Sequence, residues 1–289
     1  MPKKKIYTVA TSHLDTVWSW DFETTVSQYI YNTLVDNFTL FEKYPSYKFS
    51  FEGSYRYELM EEYYPELFDK MKDYIAKGRW NVCGSAFENG DTNIPSPEAL
   101  FRNILFGNSY FDEKFGKRSV DIYLPDCFGF GWALPAIERH SNLMGFTTQK
   151  LAWGSAYGIP FDIGKWQGVD GSEVYASINP HDYYYTLTKL RDWDFVLNKF
   201  KENEKYDLND TYIFHGIGDR GGAPDEKSVA FVEEEIKKND ESDIEVIAAS
   251  ADEIYHDIEN NYTDEQKAKL PVWKNEFVMQ NHGVGGYTS

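Results

Sequence analysis

Cysteine is nearly missing: Cys83 and Cys127 are the only two in 289 residues. Two thiols build no disulfide framework, and nothing requires them to pair, which fits a reducing compartment. Long apolar runs are missing too. After Met1-Pro2-Lys3-Lys4-Lys5-Ile6 the apolar stretch meets Thr11, Ser12 and His13 too soon for a signal-peptide core or a membrane span. The cytoplasm is therefore the expected location, with no membrane partner. Basic residues are outnumbered, 29 Lys and Arg against 47 Asp and Glu, for a net charge of -18. That field repels polyanions, so nucleic acid is excluded as a partner.

What is present is apolar and aromatic. Hydrophobic residues make up 42% of the chain, enough for a sizeable core, and aromatics make up 17%. Sugar sites and large cores both use aromatic faces, so this enrichment alone does not choose between them. Short apolar runs at residues 6–10, 48–51, 80–84, 120–124, 145–148, 212–214 and 244–247 read as buried strands. Between them, 24–44, 57–77, 96–115, 133–141, 226–238 and 251–259 carry helical spacing. Residues after 148 read as irregular, and Asn198 to Asp210 as a surface loop or helix end. Six or seven βα units of this kind predict an α/β fold with a mainly parallel sheet, curled into a barrel or left open.

Three clusters sit where such strands end. His13-Leu14-Asp15 follows the first strand, and residues two apart on an extended segment point the same way. The pair reads as a metal half-site or as a buried His–Asp pair. Asp126, in Leu124-Pro125-Asp126-Cys127-Phe128-Gly129, ends another apolar strand and reads as a third ligand or as a helix cap. Asp219 lies in Gly216-Ile217-Gly218-Asp219-Arg220-Gly221-Gly222, which lacks the Lys-Ser/Thr of a phosphate loop. Paired with Asp126, it supplies the two carboxyls that glycosidic cleavage needs. Glu88 and Asp91 follow the third strand and are placed to orient metal ligands or to bind substrate hydroxyls. Trp18 is a sugar platform or core, and His181-Asp182 with Tyr183, Tyr184 and Tyr185 reads as an aromatic loop over the same face. His140, His215, His256 and His282 carry no pairing signal of their own.

The ordered set of strings resembles the glycoside hydrolase family 38 α-mannosidases, in their cytosolic and bacterial branch. The set is Ser12-His13-Leu14-Asp15-Thr16-Val17-Trp18, Gly78-Arg79-Trp80, Glu88 with Asp91-Thr92-Asn93, Leu124 to Gly129, and Thr148-Gln149-Lys150-Leu151-Ala152-Trp153. Gly168-Val169-Asp170-Gly171-Ser172, Gly218 to Pro224 and His282 to Ser289 complete it. The resemblance implies a seven-stranded (β/α) barrel over residues 1–262, with 263–289 beginning a connection to C-terminal helical and β domains. It implies one Zn²⁺, or another divalent ion, on His13, Asp15 and Asp126. Asp126 would also be the nucleophile and Asp219 the acid/base. Trp18 would line the sugar subsite, Lys150 stands where relatives carry a basic residue, and Glu88, Asp91 and Tyr183 would contact substrate. Arg220 and Ala223 depart from the family's glycine-rich string, and Gly283 to Gly286 from its final one.

The expected reaction is retaining hydrolysis of terminal α-mannosides on an oligosaccharide. The family's fourth ligand, a histidine, lies beyond this span, and His282 is not its counterpart. The chain is thus expected to be a fragment, or one part of a split enzyme. It would need a downstream region or companion chain, or would self-associate. Two rivals remain: a non-catalytic subunit of such an enzyme, and a metal-dependent polysaccharide deacetylase. The second would want another histidine pair, and no clear His-x-x-x-His occurs.

Overall fold

The computed structural model describes residues 3–279. The string from His282 to Ser289 lies outside the described residues. Ten strands run in chain order: β1 (Lys4–Ser12), β2 (Phe49–Glu52), β3 (Trp80–Cys83), β4 (Asp121–Tyr123), β5 (Gly145–Thr147), β6 (Ile163–Gln167), β7 (Glu173–Ser177), β8 (Asp210–Ile217), β9 (Ile244–Ala249) and β10 (Val272–Trp273). They form two five-stranded sheets. One has the order β3-β2-β1-β8, with β9 also paired to β1. The other has the order β10-β6-β7-β5-β4. Every pairing is parallel except that between β6 and β7. The α/β class and the mainly parallel pairing agree with the sequence reading.

β1 is central because its sequence suits burial on both faces. Ile6, Tyr7, Val9 and Ala10 are buried, and so are Thr8 and Thr11 between them. β8 lies along one edge in register from Lys5↔Asp210 to Ser12↔Ile217. Parallel strands deliver their carboxyl ends to one side of the molecule, where parallel folds place their ligand sites. His13 and Asp15 follow β1, Glu52 ends β2, Glu88 follows β3, Asp126 follows β4, Lys150 follows β5, Tyr183 follows β7 and Asp219 follows β8.

The two sheets are linked at both margins by side chains. Gly84, past β3, donates its N–H to Asp121 Oδ1 of β4 across 2.9 Å. Thr211 of β8 donates its hydroxyl to Asp162, just ahead of β6, across 2.7 Å. Asp162 also pairs with buried Lys199 at 2.6 Å.

Three differences from the sequence reading have local causes. The helix expected over 57–77 is two helices, Ser54–Tyr63 and Pro65–Ala76. Pro65 has no N–H to continue the first helix, and it drives Tyr64 out of the helical region, to φ -137° and ψ 55°. The stretch read as irregular after 148 contains the antiparallel pair β6–β7. Gly168 to Ser172 is the turn between them, closed by Gly168 N–H to the Ser172 carbonyl at 2.8 Å, with Gly171 at φ 85°. The segment read as a loop from Asn198 begins inside the helix Asp194–Asn203, whose Lys199 and Asn203 are buried. Cys83 and Cys127 are free, buried thiols. Past residue 262 come the helix Asp264–Lys269, then β10 against β6, then a bridge from Phe277 to Phe130.

Candidate active site

The triplet expected to ligate a metal comes together at the end of β1. His13, Asp15 and Asp126 each offer one ligand atom, and these atoms lie within 4.8 Å of one another. His13 Nε2 is 3.3 Å from Asp15 Oδ1 and 3.7 Å from Asp126 Oδ2. Two ligands about 2.1 Å from a shared ion stand at most about 4.2 Å apart, so this set closes on a cation with sub-ångström adjustment. An imidazole nitrogen and two carboxylates suit a divalent cation, and three protein ligands leave a position open. Among the described residues no other group of this kind occurs. A cation fits the residues present.

Glu52 and Arg56 complete the cluster, and neither drew notice in the sequence. Glu52 Oε1 lies 2.7 Å from His13 Nδ1. Arg56 is buried, donates from Nε to the Leu14 carbonyl at 2.8 Å, and pairs with Glu88 at 2.6 Å. The backbone between His13 and Asp15 is therefore held by a guanidinium. Glu88 is engaged by Arg56 and, at 2.7 Å, by the Thr16 hydroxyl. Asp91 accepts from the backbone N–H groups of Asn93 and Ile94, and both acids line a cavity of about 240 Å³ above the triplet.

Electrostatics follow from burial. Desolvation disfavours the His13 imidazolium, but hydrogen bonds to Asp15 and Glu52, with the charges of Glu52 and Asp126, push its pKa up to about 10. A cation taking Nε2 therefore displaces a proton. Burial raises the Asp126 carboxyl above the usual carboxylate range. His13 and Lys150 pull it down, and the Asp219 charge adds to the rise. Lys150 is 1% exposed, ion-pairs with Asp126 Oδ1, and sits 3.3 Å from the Trp153 ring centroid.

Asp126 and Phe128 form the partition to a second hollow of about 570 Å³. Trp18, Trp153, Tyr183, Tyr184, Asp219 and Arg220 face it. Trp18 is 65% exposed, not core, and meets Trp20 edge-on at 5.9 Å. Tyr183 is buried and donates its hydroxyl to Asp219 Oδ1 at 2.9 Å. Burial and the charges of Asp126 and Asp219 raise the Tyr183 phenol, so it stays protonated and remains a donor. Asp219 occupies the left-handed region at φ 67°, which short polar residues tolerate. His181 turns away into the rings of Tyr185, Trp193 and Phe195. His215 is buried on β8, where desolvation lowers its pKa to about 3.

Comparison with known proteins bears on the chain as a whole. Residues 3–276 match the model of the glycosyl hydrolases family 38 N-terminal domain. Alpha-mannosidase G of Dictyostelium discoideum is 28% identical over 99% of this chain and 25% of its own length. The alpha-mannosidase of Saccharomyces cerevisiae is 30% identical over 98% of this chain and 26% of its own length. This chain thus spans about a quarter of the length of these curated relatives. An alpha-mannosidase structure from Enterococcus faecalis V583 superposes with a TM-score of 0.71 at 19% identity. The match covers 95% of this chain and 31% of that one, and speaks for the fold.

Proposed function

The chain belongs to glycosyl hydrolase family 38, and on that premise we propose that it removes terminal α-linked mannose from oligosaccharides, with retention of configuration. The observation carrying this reading is the position of Asp126. One oxygen faces His13 Nε2, the other is held by Lys150, and the residue borders both the metal cluster and the aromatic hollow.

In this reading His13, Asp15 and Asp126 hold a zinc ion. When bound, zinc would supply Lewis-acid polarisation of a sugar hydroxyl at the position its three protein ligands leave open. Positive charge beside Asp126 favours its ionised form, as a nucleophile requires. Asp126 attacks the anomeric carbon while Asp219 protonates the leaving oxygen. Asp219 then takes a proton from the water that frees the sugar. Trp18, Trp153 and Tyr184 offer exposed or cleft-facing rings to the sugar's apolar face. Tyr183 fixes the Asp219 carboxylate, Lys150 fixes that of Asp126, and Glu88 and Asp91 shape the wall of the metal cavity.

Family membership also carries the expectation of a barrel, and the side-chain links between the two sheets support such closure. A cytoplasmic setting agrees with two unpaired cysteines, and no helix among the described residues is long and apolar enough to cross a membrane. One imidazole in the ligand cluster speaks against the deacetylase reading, which wants a histidine pair.

The test is hydrolysis of an aryl α-mannoside by zinc-loaded protein supplied with the downstream region or companion chain, followed by NMR. Mannose should appear first as the α anomer, and Asp126→Asn should abolish turnover. First release of the β anomer would remove the double displacement. Near-normal turnover by the variant would remove Asp126 as nucleophile.

A further inference from the structure

We propose that Glu52 is a positioning residue, which sets the ring orientation and tautomer of His13 so that Nε2 is presented to a divalent cation. The inference rests on the metal-cluster reading above and adds a residue with no direct access to the ion's ligand sphere.

The placement starts from strand register. β1 and β2 pair with Ser12 opposite Phe51, so the residues that follow, His13 and Glu52, come out side by side. Glu52 is 0% exposed. A carboxylate removed from water is unfavourable unless hydrogen-bonded or paired. Here Oε1 meets His13 Nδ1 at 2.7 Å and accepts from Asn89 Nδ2 at 3.1 Å, while the buried Arg56 contributes positive charge nearby. The side chain is closely housed: a Cβ on Gly84 would lie 3.1 Å from Glu52 Cβ. The acid is thus built into the core, with its oxygen aimed at one ring nitrogen.

The chemistry follows from what a carboxylate can do. It only accepts, so Nδ1 must donate, and the lone pair of a metal-binding imidazole falls on Nε2. Nε2 is the nitrogen that faces Asp15 and Asp126. The Tyr183 ring meets the imidazole edge-on at 5.9 Å, so the ring is bounded on that side as well. Outer partners of this kind raise ligand basicity, and their loss typically costs about 10- to 100-fold in metal affinity.

The experiment is titration of the protein with Zn²⁺ against a chromophoric chelator, for wild type, E52A, E52Q and E52D, with thermal melts with and without Zn²⁺. E52A should bind zinc about 10- to 100-fold more weakly. E52Q, which keeps an acceptor, should recover much of that loss. The rise in melting temperature on adding zinc should shrink in E52A more than in E52Q. A purely structural Glu52 would lower both melts equally and leave that rise intact. Should E52A fail to fold, E52D decides, because withdrawing the carboxylate by one methylene should still weaken binding about tenfold. Folded E52A or E52D with wild-type affinity overturns the proposal, as does a wild-type protein that binds no zinc. Wild-type protein that shows this zinc dependence but releases no mannose, even when supplied with the downstream region or companion chain, would leave Glu52 in its role and remove the glycosidase reading instead.

Discussion

Asp15 donates its backbone N–H to the carbonyl of Asp219 across 2.9 Å. That bond joins a member of the candidate metal cluster to the carboxylate proposed for proton transfer. It belongs to a short ladder past the end of β1 and β8, with His13 N–H on the Ile217 carbonyl and Gly221 N–H on the His13 carbonyl. The distance between the two halves of the site is thereby set by backbone rather than by flexible side chains.

Replacement of Asp219 separates chemistry from folding. Asn tolerates the left-handed conformation at φ 67° and can still accept from the Tyr183 hydroxyl. Asp219→Asn should therefore melt within a few degrees of wild type. It should lose on the order of 10²- to 10⁴-fold in turnover of substrates with poor leaving groups, the usual worth of a general acid. Substrates with activated aryl leaving groups should suffer less in the first step. Equal losses across leaving groups, measured by steady-state kinetics, would take the acid role from Asp219.

How far the site is legible in the sequence depends on whether its signal is local. His13, Asp15, Asp126 and Asp219 stand directly after apolar strands, so pattern and position together mark them. Glu52 also ends an apolar strand, Phe49-Ser50-Phe51, yet its meaning depends on β2 lying against β1. No short-range pattern conveys that pairing. Arg56 is less legible still, since a buried arginine on a helix breaks the rule that charges face water. In the fold, Pro65 is a visible helix breaker. β6 is obscured by Gly164 and Lys165 within a five-residue strand that owes its place to Trp166, buried against Phe146 and Phe277.

Asp121 carries a pH dependence of stability that lies apart from catalysis. Burial and the Asp252 charge raise its carboxyl from 3.8 to about 7, against the hydrogen bonds from Ser119 and Gly84. The folded state therefore holds this proton more tightly than the unfolded chain. The contribution is fully present below about pH 4 and is lost as pH rises through about 7. Asp121→Asn removes the titration while keeping an acceptor for Gly84 N–H. Between pH 5 and 8 wild type should lose on the order of 2 kcal/mol more stability than the variant. Urea denaturation at the two pH values measures the difference, and parallel pH slopes would contradict it.

Two glycines on the same strand and turn should fail in different ways when replaced by alanine. Gly216 of β8 lies opposite Thr11 of β1, and an added Cβ would stand 1.9 Å from the Thr11 carbonyl oxygen. Backbone on both sides leaves nothing soft to move, so the central strand pair must separate. Gly216→Ala should cost about 3 kcal/mol or more, at the upper end of what overpacking does. At Gly218 the added Cβ would meet the Tyr183 ring at 2.1 Å, and a ring can shift where a carbonyl cannot. The stability cost there should be smaller, about 1 kcal/mol. The shift, however, withdraws the hydroxyl that holds Asp219 Oδ1. Gly218→Ala should thus lower turnover about tenfold or more, since small misplacement of a reacting group is costly. Tyr183→Phe removes the same hydrogen bond directly. If Gly218→Ala acts through Tyr183, the double variant should be little worse in turnover than either single one, because the two changes share one interaction. Fully multiplicative losses in that double-mutant cycle would show that the glycine serves the site by another route.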